Sequence, residues 1–172
     1  KRKVLLLDLD PQANATTATG INTKESKTLY ELSLLQCSIS ECIYQCEDGY
    51  SVIPANESLT ALEVAIKNNQ QQGFISKQLD TMKTKYDYTI IDTPPTLNQL
   101  TIEALFAASG TLIPLQCEYY SLEGVSSLMN TIKTLSDKNL SSNRVLGIIR
   151  TMVDMRNNLA KEVSYELEKH FP

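Results

Sequence analysis

No stretch of the 172 residues approaches the ~20 consecutive apolar residues of a membrane helix, and no signal peptide opens the chain. A soluble cytoplasmic protein is the default expectation. Excess positive charge is also missing. The net charge is −4, so bulk charge excludes a polybasic nucleic-acid tail, and any DNA contact must come from a local basic patch. No CxxC pair occurs. Cys37, Cys42 and Cys46 are spaced C-x4-C-x3-C, with Cys42 and Cys46 one turn apart on an expected helix, and reduced or buried thiols account for them better than a metal. The one histidine, His170, reads as a surface residue near a helix end. There are no internal repeats and no sign of a second domain. What remains is 42% hydrophobic and 21% charged residues, the balance of a single globular domain spanning 1–172.

Two stretches stand out. Val4-Leu5-Leu6-Leu7 is too short for a helix and suits a strand buried on both faces, and it runs into Asp8 and Asp10. Alternate strand residues share a face, so both carboxylates leave the sheet on one side. Pro11 stops the ladder, and Asp10-Pro11 also suits the cap and first position of a helix. The pattern returns at Tyr86–Asp92, where a β-rich run ends in a carboxylate followed by Thr93-Pro94-Pro95. Acidic groups at the carboxyl ends of parallel strands lie where open α/β sheets bind ligands. Two such sites fit a metal–phosphate centre, since hydrated magnesium is held through one or two carboxylates plus substrate phosphates.

The rest of the chain alternates. Helices are expected at Thr28–Leu35, Ser40–Cys46, after a cap at Asn56, at Phe74–Lys85, at Leu97–Ala108 (ended by Gly110), at Ser121–Ser136 and at Asn157–His170. Strands are expected at Ser51–Pro54, Thr111–Gln116 and Val145–Met152. Alternation of this kind predicts an α/β fold with a doubly wound, mostly parallel sheet flanked by helices.

Asp8-Leu9-Asp10-Pro11-Gln12-Ala13-Asn14-Ala15-Thr16 resembles the DxDPQGNAT stretch of the ParA/Soj partitioning ATPases, a branch of the deviant P-loop NTPases. Ile91–Pro95 is similar to their Walker B segment, Pro54-Ala55-Asn56 to their PAN stretch, and Gln116–Gly124 to QCEYYxLEG at every specified position. Ala13 stands where Gly is usual and Glu103 where Asn is common. The glycine-rich loop ending Gly-Lys-Thr-Thr is absent from the 172 residues, as is the usual C-terminal third, so a fragment truncated at both ends is expected. Loss of the first strand would then strip a neighbour from Val4–Leu7.

The resemblance implies an ATP hydrolase using ATP and Mg2+. Asp10 would act on the attacking water, Asp92 would hold the metal, Asp8 would lie beside its shell, and Pro11 and Gln12 would lie near the nucleotide. It further implies a homodimer closed by ATP through Glu118, Tyr119 and Tyr120. Arg156 would bind non-specific nucleoid DNA, with Arg144, Arg150 and Lys161 extending the patch. A centromere-binding ParB/Spo0J-like partner would trigger hydrolysis and release. The expected location is cytoplasmic and nucleoid-associated, away from membrane. Without its phosphate-binding loop the chain alone should not bind ATP. Two alternatives stay open: a non-hydrolysing truncated paralogue acting as an interaction module, and a membrane-associated regulator like MinD.

Overall fold

The computed structural model describes residues 2–68, 72–117, 121–154 and 156–170, with only the backbone described for 121–123, 159 and 170. The chain falls into two compact units, 1–107 and 108–172.

In the first unit, β1 (Val4–Asp8), β2 (Tyr44–Gln45), β3 (Ser51–Ile53) and β4 (Tyr88–Asp92) form one sheet in the order β2-β3-β1-β4. β1 runs parallel to both β3 and β4, and only the short β2 is antiparallel. Leu5 and Leu7 of β1 are wholly buried, whereas Val4 and Leu6 are half-buried. Both sides of β1 are paired, and the edges of this sheet are β2 and β4. A strand missing from the sheet cannot be a neighbour of Val4–Leu7, contrary to the expectation. Tyr88, Thr89 and Ile90 of β4 are correspondingly exposed.

The helices of this unit are α1 (Asn14–Ala18), α2 (Leu29–Ser33), α3 (Leu59–Asn68), α4 (Phe74–Asp80) and α5 (Gln99–Ala107). Thr28 and Glu31 close a capping box on α2, and Asn56 Oδ1 accepts the Ser58 N–H just ahead of α3. Leu59, Leu62 and Ile66 of α3 are buried at helical spacing, as are Leu79 and Met82. The expected helix at Ser40–Cys46 is not there. A single 3₁₀ turn (Ile39–Cys42) is closed by Glu41, which accepts from the Ser38 N–H, and the chain then extends into β2. The β-favouring Ile43 and Tyr44 win over helix continuation, and Cys46 sits in the turn that joins β2 to β3.

In the second unit β5 (Gly110–Gln116) lies parallel to β6 (Arg144–Thr151), with α6 (Ser121–Asp137) and α7 (Asn158–His170). Gly110 opens β5 rather than ending a helix. A Cβ there would meet Leu146 at 2.6 Å, which is why the strand starts on glycine. Pro114 faces Ile149 in a strand with a single described partner, where a missing N–H is tolerated. Among the described residues no helix is long and apolar enough to cross a membrane.

Candidate functional site

Parallel pairing of β1 with β4 sets Asp8 opposite Asp92, so the two strand-terminal carboxylates share one end of the sheet. The Leu9 N–H donates to the Asp92 carbonyl at 2.9 Å and continues the ladder one residue further. Asp10 caps no helix. Its Oδ1 accepts the Gln12 N–H at 2.9 Å and its carbonyl the Ala13 N–H, so Asp10–Ala13 is a tight turn and α1 begins only at Asn14. Ala13 sits at φ 55°, the left-handed region that glycine enters without strain. The usual glycine at this position thus has a backbone reason. Pro11 is half-buried and Gln12 exposed on that turn.

Asp8 is wholly buried and holds the turn from inside. Its Oδ1 accepts the Asp10 N–H at 3.0 Å, and its Oδ2 accepts the Thr16 N–H at 2.8 Å and the Thr16 hydroxyl at 2.7 Å. Thr16 Oγ1 in turn accepts the Ala55 N–H at 2.9 Å. One buried carboxylate and one hydroxyl therefore tie the end of β1, the start of α1 and the segment after β3 into one network. Nothing in the spacing of Asp8, Thr16 and Ala55 announces this, although Thr16 and Ala55 both fall inside the family-like stretches.

Asp92 differs from Asp8 in being exposed. Partial loss of solvation raises its pKa first, the charges of Asp8 and Asp10 raise it further, and the Thr93 N–H pulls against them. An open carboxylate oxygen pressed by two like charges is the chemistry that a hard, hydrated cation relieves. Among the described residues no group of three or more His, Cys, Asp or Glu side chains could hold a metal unaided. That donor set fits magnesium shared with phosphates and does not fit a cage built by protein alone.

Glu103 is buried on α5, where its carboxylate accepts the N–H groups of Gly73 (2.9 Å) and Ile75 (3.2 Å) at the start of α4. An asparagine, one methylene shorter, would lack that reach. Arg156 forks onto Asp154, with Nη2 at 2.8 Å from Oδ2 and Nε at 3.0 Å from Oδ1, and is 91% exposed. Arg150 pairs with Glu168 at 2.9 Å. Two of the three arginines of the expected basic patch thus hold carboxylates, while Arg144 and Lys161 are exposed. Glu118, Tyr119 and Tyr120 lie outside the described residues.

A family profile described as an AAA domain matches residues 1–148. The sporulation initiation inhibitor protein Soj of Bacillus subtilis is 37% identical, with 99% of this chain and 68% of Soj covered. The chromosome partitioning protein ParA of Myxococcus xanthus is 41% identical, covering 99% of the chain and 62% of ParA. Among solved structures, cobyrinic acid a,c-diamide synthase from Mycobacterium smegmatis with bound ADP and magnesium superposes with a TM-score of 0.89 at 28% identity, over 99% of this chain and 70% of that one. The chain spans about two thirds of the length of the curated relatives it matches.

Proposed function

The chain belongs to the ParA/Soj family of partitioning ATPases, and we propose that its residues form the hydrolytic half of an ATP site. Asp10 stands half-buried on a turn fixed from below by Asp8, and it positions and polarises the attacking water. Asp92, open and crowded by two carboxylates, would hold magnesium, which would supply positive charge against the phosphates. Asp8 acts through the loop: its oxygens are already engaged by Asp10 and Thr16. Pro11 and Gln12, on the same turn, would lie near the nucleotide. The observation that carries the reading is the Asp8–Asp92 register, which sets two carboxylates at one sheet end, close enough to Asp10 for its charge to act on Asp92.

The wider cycle follows from the family. ATP closes a homodimer through the Glu118–Tyr120 segment, the dimer binds nucleoid DNA through a patch that includes Arg156, and a ParB-type partner triggers hydrolysis and release. A partitioning role in the cytoplasm, on the nucleoid, follows from that cycle.

The test places a glycine-rich phosphate-binding loop ending Gly-Lys-Thr-Thr ahead of the chain, as the family resemblance implies. Asp10→Ala should abolish turnover while ATP-dependent dimerisation persists, and Asp92→Ala should weaken binding of magnesium with a fluorescent ATP analogue. Wild-type kcat in the Asp10 variant overturns the assignment. The 172-residue chain alone should show no ATP binding by calorimetry, because the backbone N–H cradle and lysine that supply most triphosphate affinity are not in the sequence.

A further inference from the structure

We propose that Cys37 and Cys42 form a redox-modifiable pair that closes to a reversible intramolecular disulfide when a peroxide oxidises Cys37. Their sulfurs lie 3.5 Å apart across the connection between α2 and the 3₁₀ turn. A disulfide bond is ~2.05 Å long, so closure asks for an approach of ~1.5 Å, within reach of side-chain rotation. The connection is short and sharply turned: Leu35, two residues before Cys37, sits at φ 57° and is 92% exposed.

The two thiols differ in environment, and the difference assigns their roles. Cys37 is half-buried and open to a small oxidant, whereas Cys42 is wholly buried. Cys42 donates to the Thr28 carbonyl at 3.3 Å, and burial, with Cys37 beside it, pushes its pKa up to about 12. It therefore stays protonated and unreactive until a partner sulfur is activated. No pair of this kind involves Cys46 or Cys117. Both are buried, and Cys117 sits 3.6 Å from the Ser164 hydroxyl rather than from a thiol.

The chemistry balances in two steps. Cys37 sulfur attacks one peroxide oxygen, the O–O bond breaks, and sulfur gives up two electrons to yield Cys37–SOH with release of water. Cys42 sulfur then attacks Cys37 sulfur, its proton leaves with the displaced hydroxyl as a second water, and the S–S bond forms. A dithiol reductant reverses the result. The consequence reaches past the pair, because Cys42 must turn from the Thr28 carbonyl, and the Thr28 hydroxyl lies 3.5 Å from Ser58 in the loop that follows Ala55.

The experiment treats the whole 172-residue chain with hydrogen peroxide, quenches it, and alkylates it in denaturant. The expected result is loss of two of the four thiols, a mass lower by two hydrogens, and a Cys37–Cys42 cross-linked peptide that dithiothreitol abolishes. Cys42→Ser should stop the reaction at a sulfenic acid on Cys37 that dimedone traps, and Cys37→Ser should leave the remaining thiols intact. Retention of all four thiols at peroxide doses that oxidise glutathione overturns the proposal. So does a bond that involves Cys46 or Cys117, or one between chains. Neither readout depends on nucleotide, so the result stands apart from the fate of the hydrolytic reading.

Discussion

Residues 1–107 and 108–172 are both parallel α/β units, yet they bury their side chains to different depths. In the first, Leu5, Leu7, Ile53, Leu59, Leu62, Ile75 and Leu100 are wholly buried, and so are two carboxylates, Asp8 and Glu103. In the second, Ile113, Leu115, Val125, Val163 and Leu167 form the core, and each keeps a few per cent of its surface in contact with solvent. Leu112, Leu146 and Ile149 are about half exposed on its two strands. The physical difference is the number of strands. Four strands with helices packed against them can seal a β1 that is paired on both sides, whereas two strands and two helices leave strand surface open. Polar groups follow the same division. Asp8 and Glu103 can be buried because several backbone donors point at each, and the described part of the second unit buries only Asn143 and Ser164 among polar residues.

The comparison breaks most readily at the apolar cores. Leu7→Ala should cost ~3–4 kcal/mol and Leu115→Ala nearer ~2, because the second site is less sealed and collapses more easily. Equal losses in urea denaturation would show the two cores to be equivalent.

Next in size is the polar pair. Thr16→Val removes a hydroxyl that both donates to Asp8 and accepts from Ala55, and should cost ~2–3 kcal/mol, with Thr16→Ser restoring most of it. Ser164→Ala loses only a long contact to a thiol and should cost under ~1 kcal/mol. Thermal melts of the three variants rank them directly.

A smaller and more diagnostic effect is pH dependence. Burial raises the Glu103 pKa above its ordinary 4.5, so the native state binds the proton more tightly than the unfolded chain. The linked stability is fully present below 4.5 and is lost as pH rises through the higher native value. Glu103→Gln should flatten that fall, measured as the denaturation midpoint against pH. An unchanged slope would place the titrating group elsewhere.

The smallest effect is expected at Ala13→Gly. Relief of the left-handed strain should slightly exceed the extra entropy of the unfolded chain, for a net gain under ~1 kcal/mol. A loss of stability would mean that the Ala13 methyl, 5% exposed, contributes more by packing than its backbone costs.

What the sequence by itself determined was whatever is encoded in local period and punctuation. Strand β1 with its trailing Asp8 and Asp10, strand β4 ending at Asp92, the Asn56 stop ahead of α3 and the long α6 are all legible, because alternation, turn residues and caps act over a few residues. The family-like stretches fall on the same residues. Even some local choices escaped: Ser40–Cys46 carries a helix-like pattern that β2 overrides by pairing with β3. Tertiary structure alone decided that Asp8 is a buried brace and Asp92 an exposed carboxylate, although each ends a strand in the same way. It also decided that Glu103 caps a helix thirty residues away and that Cys37 meets Cys42. The reason is physical. Register between strands 84 residues apart, and donors drawn from separate elements onto one carboxylate, exist only once the sheet has closed around them.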